Sequence, residues 1–365
     1  MGRQPLLSLI IPTRERAETL SYTLRTALAD PYPDVEIIVS DNASQDETPS
    51  VVKRHDDIRL RYINPGNRLA MTQHFEFALA HASGEYACII GDDDAVNRGG
   101  ITALAAHIDH SRHLDAYTWP THVYIWPHGT APARIAQLWP RGLIGSDLDL
   151  HAMVRKAIRW GIFNYAPLPH LYHSAVRVDV MNQVRARTGS YFKTTSPDVY
   201  TSFVLPAFAK TARNIAIPIT TNGHSPKSNS GAVIGLGDKE LVRHLAEQGS
   251  YAMHRDIPAS IDRMVAVMLD PMLVAMDTIP EHYADVRPNF SALWAFAESV
   301  MGEKTGFRVL SHWPSLKGKI SISAYGFYAS VHRVNKFRTR LRHRAMELLA
   351  PPDIATFADM HPASV

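Results

Sequence analysis

One cysteine, Cys88, stands in 365 residues. No disulfide can form within the chain, and nothing in its thiol content points to an oxidising compartment. Set in an apolar run, Cys88 reads as core. Long hydrophobic stretches are also missing. The most apolar window, Met264 to Met276, is broken by Asp270 and Pro271 and falls short of the ~20 residues a spanning helix needs. The opening MGRQPLLSLIIPTRER reaches charge too early for a signal peptide and has no small-residue cleavage site, so a cytoplasmic protein is expected. Charge of one sign is scarce as well: the net value of +3 is too small to imply a nucleic-acid partner. Neither a Gly-x-x-x-x-Gly-Lys-Ser/Thr loop nor a Gly-x-Gly-x-x-Gly fingerprint follows the first apolar run, which argues against a P-loop and a dinucleotide site. There is no internal repeat and no low-complexity tract.

What is present describes an ordinary globular chain, 45% hydrophobic and 20% charged, long enough for one large domain with an appendage or two modest ones. Basic residues gather late, at Lys317, Lys319, Arg333, Lys336, Arg338, Arg340, Arg342 and Arg344, among Tyr325, Phe327, Tyr328, Val331 and Phe337. Two readings suit this segment: a helix lying on an anionic membrane surface, or a solvated helix packed by its aromatic side.

The first hundred residues alternate between two periods. Leu7 to Pro12, Val35 to Ser40, Leu60 to Ile63 and Tyr86 to Ile90 are short apolar runs of the kind buried on both faces of a sheet. Between them, Leu20, Leu24, Ala27 and Leu28, and then Met71, Phe75, Ala78, Leu79 and Ala82, recur at helical spacing. Ser44 and Glu47 have the spacing of a capping box, and Asn97 is placed to cap a helix running to about His110. Strict alternation predicts an α/β fold with a mostly parallel sheet and helices on both faces. A strand is expected over Leu168 to Val178, a helix opened by Ser196 or Asp198, a Gly- and Ser-rich loop over Thr221 to Gly237, and a mainly helical remainder. Trp119, Trp126 and Trp139 serve either as rigid core or as a stacking surface for sugar.

In such a sheet, ligands bind beyond the carboxyl ends of the strands. Each of the four strands ends in polar residues: Thr13 and Arg14, Asp41 and Asn42, Asn64, and the triplet Asp92, Asp93 and Asp94. If the triplet is extended, Asp92 and Asp94 point the same way. Paired carboxylates suit Mg2+ or Mn2+, which prefer oxygen ligands and share them with phosphate.

The stretches LLSLIIPTRERAETL, VEIIVSDNASQDET, ASGEYACIIGDDDAV and SPDVYTSF, in that order, resemble family 2 glycosyltransferases with the GT-A (Rossmann-like) nucleotide-diphospho-sugar transferase fold, over about residues 5 to 230. The resemblance implies a catalytic and donor-binding domain over 1–237 and a helical region over 238–365 for acceptor or membrane-surface contact. It implies that Pro12, Thr13, Arg16 and Asp41 hold the nucleotide, with Arg68 placed to meet a phosphate. Asp92 would face the ribose side or make a second metal contact, Asp93 would join the nucleotide-binding residues, and Asp94, with Asp92 and His224, would face a metal. Ser225, Lys227 and Ser228 fall in a loop over the diphosphate, and Asp198 matches the base that deprotonates the acceptor hydroxyl. The implied reaction is a metal-dependent, inverting transfer from a UDP-, GDP- or dTDP-type sugar to a glycan or lipid-linked glycan acceptor, as in bacterial surface polysaccharide synthesis at the inner membrane face. Two departures stand out: His74 where relatives often have Asn, and SPD where many have Glu-Asp. The competing readings are a sugar-1-phosphate nucleotidyltransferase, which would want a glycine-rich basic loop after the first strand, and a non-catalytic nucleotide-sugar-binding protein.

Overall fold

The structure, a computed structural model, describes residues 4–111, 113–138, 145–160, 167–228, 239–249, 251–257, 263–296, 324, 327, 328, 330, 348, 349, 351 and 353–363. The basic residues from Lys317 to Arg344, and Trp139, lie outside the described residues.

Four short apolar runs form the centre of the main sheet: β1 (Leu7–Thr13), β2 (Val35–Asp41), β3 (Leu60–Ile63) and β4 (Tyr86–Ile89). They pair in parallel in the order β3-β2-β1-β4. The helices α1 (Ala17–Ala29), α2 (Thr48–Lys53) and α3 (Met71–Ala80) cross between them. The sheet continues through β10 (Ser174–Arg177), β6 (Ala116–Thr118), β11 (Ala212–Asn214) and β9 (Ser146–Asp147). Here β10 runs antiparallel to both of its neighbours. The expected strand over Leu168 to Val178 is therefore shorter, because Leu171 and His173 take positive φ (64° and 51°) and turn the chain before Ser174.

Side chains alternate across the sheet and seal both faces. Ile10, Ile38, Ala87 and Ile89 enter one core with α3, α5 (Leu150–Trp160), α6 (Val178–Thr188), α7 (Pro197–Val204), α9 (Arg263–Thr278) and α10 (Phe290–Phe296). Leu9, Ile11, Ile37, Val39, Cys88 and Ile90 enter the other with α1, α2 and α4 (Gly100–His110). This two-sided burial is why these strands read as continuous apolar runs rather than alternating ones. Pro271 lies inside α9. Beside it, the fully buried Asp270 accepts from the Tyr251 hydroxyl and the His254 amide.

A second sheet packs at the carboxyl edge of the first. It comprises β5 (Ala95–Val96), β7 (His122–Ile125), β8 (Arg134–Gln137), β12 (Thr220–His224) and β13 (Leu348–Leu349), in the order β13-β8-β7-β12-β5. The helix α11 (Ile354–Met360) buries Ile354, Phe357 and Ala358 against Tyr124, Trp126 and Ala95 of this layer. The opening of the segment expected to be a loop from Thr221 is thus a strand through His224, because its backbone pairs with β7 and β5; residues 229–238 lie outside the described residues.

Two expected caps are replaced. Glu47, not Ser44, stands at the N-cap of α2, and the capping bonds come from Asp46, which accepts from the Thr48 amide and hydroxyl. Ser44 Oγ instead accepts from the Glu15 amide. Asn97 is buried as a cross-link, donating to Pro218 O at 2.9 Å and accepting from Thr221 Oγ1 at 2.7 Å. Asp30 takes over at α4, accepting from the Ile101 and Thr102 amides. No described helix is long and apolar enough to cross a membrane.

Candidate functional site

Register sets the site. Thr13 pairs with Asp41, and Ile10 with Ile89, so β1, β2 and β4 finish at one edge. The strand order reverses between β1 and β4, the place where open α/β sheets form a ligand crevice.

The Asp triplet occupies that point, and its backbone is a turn, not a strand: the Asp94 amide donates to Gly91 O at 3.3 Å. Each carboxylate consequently faces a different partner. Asp92 accepts from Thr13 Oγ1 at 2.6 Å and from Arg16 Nη1 at 2.7 Å. Asp93 accepts from the Ser225 amide at 3.0 Å, with Arg16 Nη1 3.9 Å from its other oxygen. Asp94 is fully buried and accepts from the Gly223 amide at 2.7 Å, the Tyr172 hydroxyl at 2.7 Å and the Gly91 amide, with His173 Nε2 at 3.2 Å.

Electrostatics follow from these contacts. Burial pushes Asp93 above the usual carboxylate range, and Asp92 and Asp94 add to the effect. Burial acts the same way on Asp94, but His173, Tyr172 and the Gly223 amide hold it below that range. Burial disfavours the Arg16 guanidinium, yet Asp92 and Asp93 more than compensate and keep it charged. Arg16 also donates to Lys227 O, and Lys227 Nζ donates to Glu15 O at 3.3 Å. With Ser228 Oγ donating to Ser225 O at 2.9 Å, residues 225–228 form a strap tied across the triplet.

Asp41 lies one strand away, fully buried, accepting from the Tyr62 hydroxyl at 2.6 Å and the Ser44 amide at 3.0 Å. His74 is buried behind it with Nε2 2.9 Å from Ser40 Oγ; burial lowers its pKa to about 4, so the ring is neutral. Pro12 sits at the end of β1 opposite Ser40. Arg68 is on the rim, half-exposed and paired with Glu15 at 2.6 Å. Asp198 stands in the first turn of α7, where Ser196 is the N-cap but makes no side-chain cap bond. Burial raises Asp198, and its field is felt by the Tyr172 hydroxyl, whose pKa burial raises further still. His224, in β12, has its Nδ1 buried without a partner.

Several participants escape the sequence reading. Tyr172 and His173 carry no periodic signal; an aromatic next to a histidine just ahead of a strand is the only hint. Trp126 Nε1 holds Asp93 O at 2.9 Å, and a Cβ on Gly223 would lie 1.7 Å from that same oxygen, so β12 approaches the triplet as only glycine permits. From the helical region, α8 (Lys239–Glu247) reaches back: Glu247 pairs with Arg14 at 2.5 Å, and His244 Nε2 lies 2.8 Å from Thr195 O.

No three His, Cys, Asp or Glu side chains among the described residues stand together as a metal cage. Both oxygens of Asp94 and both of Asp92 already accept from protein donors. Alone, the described residues supply no set of three such ligands for a divalent cation here.

A mostly parallel sheet whose switch point gathers Asp41 from the end of β2 and the Asp triplet from the end of β4, beside Thr13 and Arg16 after β1, fits the nucleotide-diphospho-sugar transferase (GT-A) class of fold. Residues 8–153 match the model described as glycosyl transferase family 2. The chain is 35% identical over 103 residues to GalNAc(5)-diNAcBac-PP-undecaprenol beta-1,3-glucosyltransferase of Campylobacter jejuni, covering 27% of this chain and 33% of that protein. It is 29% identical over 109 residues to abequosyltransferase RfbV of Salmonella typhimurium, covering 28% and 33%. The chain thus spans about a third of the length of these relatives. Among solved structures, Staphylococcus aureus TarS 1-349 in complex with UDP-GlcNAc aligns with a TM-score of 0.49 at 13% identity, over 93% of this chain and 91% of that one.

Proposed function

We propose that this chain transfers a sugar from a nucleotide-diphospho-sugar to the hydroxyl of a glycan or lipid-linked glycan acceptor, in bacterial glycan synthesis. The observation that carries the reading is the placement of Asp198 on α7, across Tyr172 and His173 from an Asp triplet at the sheet's switch point. The name of the Campylobacter jejuni relative, a glucosyltransferase of an undecaprenol-linked glycan, supports the acceptor class, and that of the Salmonella typhimurium relative, an abequosyltransferase, supports sugar transfer.

In this reading Asp41 and the Thr13–Arg16 loop hold the nucleotide, and Arg16 and Lys227 meet the diphosphate. The anomeric carbon's bond to the diphosphate oxygen breaks as the acceptor oxygen bonds from the opposite face, inverting the centre. The acceptor proton passes to the Asp198 carboxylate, whose burial-raised pKa makes it the stronger base. Mg2+ or Mn2+ would arrive with the donor, whose diphosphate supplies oxygen ligands that the chain's own residues do not.

Thermal-shift measurements with UDP, GDP, dTDP and CMP, each with and without Mn2+, test donor class and metal together. One nucleotide is expected to raise the melting temperature, and more so with the ion. Asp198→Asn should keep that shift yet lose transfer by a factor of about 100 or more, the size typical of a positioned general base. Full transfer by this variant, or no shift with any nucleotide, would sink the reading.

A further inference from the structure

Trp119, Thr220, His173 and Asp94 form a buried line in which the donors can be assigned. Trp119 Nε1 donates to Thr220 Oγ1 at 2.8 Å, because an indole nitrogen can only donate. That leaves the Thr220 hydroxyl its own hydrogen, and the neighbour within reach is His173 Nδ1 at 2.7 Å. A buried hydroxyl hydrogen finds an acceptor, so Nδ1 is the bare nitrogen and Nε2 carries the proton. At the other end, Nε2 is buried 3.2 Å from Asp94 Oδ2, an ionised carboxylate that can only accept, though not aligned for a hydrogen bond to it. The Thr220 end sets the tautomer, and the carboxylate 3.2 Å from Nε2 favours the same one, since a bare nitrogen there would turn its lone pair towards a negative charge.

The backbone around this ring is held as deliberately. Leu171 and His173 have φ of 64° and 51°, left-handed values that are strained for side-chain-bearing residues and persist only where surroundings impose them. The turn is pinned to the end of β4 by Ile89 N to Leu171 O at 2.8 Å and His173 N to Ile89 O at 3.0 Å. On its other side, Thr201 Oγ1 lies 2.8 Å from both His170 O and Asp198 O. One short turn therefore grips the triplet through Asp94 and the helix bearing Asp198 through Thr201.

We propose that His173 is a positioning residue: the Trp119–Thr220 pair locks its ring as the Nε2–H tautomer, and the locked ring fixes Asp94 and the turn that sets Asp198 opposite it. The kinetic consequence rests on the transfer reading above; the tautomer does not.

The test uses the full chain with 15N-labelled histidine. Of its 19 histidines, His173 is identified by the signal that His173→Gln removes. The wild type should show a bare Nδ1 and a protonated Nε2. Thr220→Val, of equal shape but without the hydroxyl, should mix the tautomers, and Thr220→Ser should restore the single one. Trp119→Phe, further from the triplet, should also loosen the lock if Thr220→Val fails to fold. In transfer assays Thr220→Val should lower kcat about tenfold or more, the scale of losing an outer hydrogen-bond partner, with donor KM within about twofold. Thr220→Ser should recover kcat. An Nδ1–H tautomer in the wild type, an unmixed spectrum in Thr220→Val, or an unchanged kcat in that variant would overturn the proposal. If the wild type turns over no donor, the transfer reading fails, and the spectra still decide the lock.

Discussion

Asp93 is the residue whose setting least suits its charge. Burial and two neighbouring carboxylates raise its pKa, and Arg16 offsets this only in part. A carboxyl raised above its unfolded value of about 3.9 favours folding while protonated, and that contribution is lost as pH climbs through the folded value. Asp93→Asn keeps an acceptor for the Ser225 amide and removes the charge. It should melt higher than the wild type at pH 8, by about 2–4 °C for each kcal/mol of burial cost relieved, and the gap should narrow at pH 5. Melting curves at the two pH values check this, and an equal or lower melting temperature at pH 8 would contradict it. Charge at the triplet is thus held at a cost in stability, as sites prepared for a ligand often are.

Among the elements, β12 is the one on which the site hangs. Its Gly223 leaves no room for a side chain against Asp93 O, so Gly223→Ala should force the strand from the triplet. A loss of about 1–3 kcal/mol is expected for such overpacking, read as a drop of at least ~3 °C in melting temperature; an unaltered melt would refute it. β12 also marks where the sequence stops being legible. The strands β1, β2 and β4 are readable because burial on both faces writes an unbroken apolar run. By contrast TTNGH has no run and no alternation; it is a strand only because β5 and β7 supply its hydrogen bonds. The same holds for α4, whose cap arrives from Asp30, 71 positions before Ile101, and for the triplet, whose turn follows from the bonds that Gly223 and Ser225 impose. The acidic residues themselves are legible from their position at strand ends; their partners Tyr172, His173 and Trp126 are not, since tertiary contact alone gives them a role.

For the whole molecule, buried neutral histidines set the acid limit. Burial lowers His74 and His122 to about 4 and His170 to about 3. Each binds a proton near pH 6.5 when unfolded, so stability is full above that value and drains as pH falls towards 4. Denaturant melts between pH 7 and 4.5 should show this decline, and His74→Gln should make it shallower; a flat profile would refute the assignment. The cores cross the whole sequence too: Ile10 and Trp294 share one, and Ala95 and Phe357 another. The bonds closing the triplet span 129 and 132 residues. Such distant closures form late, because the chain's entropy must be spent before the contact returns anything. During synthesis the three carboxylates therefore stay hydrated, and mutually repulsive, until β12 has emerged to clasp them. The layer above stays wet on its outer side until residues 354–358 arrive. An arrested nascent chain ending before residue 220 would leave the triplet without the Gly223 and Ser225 amides, an open and strongly acidic rim.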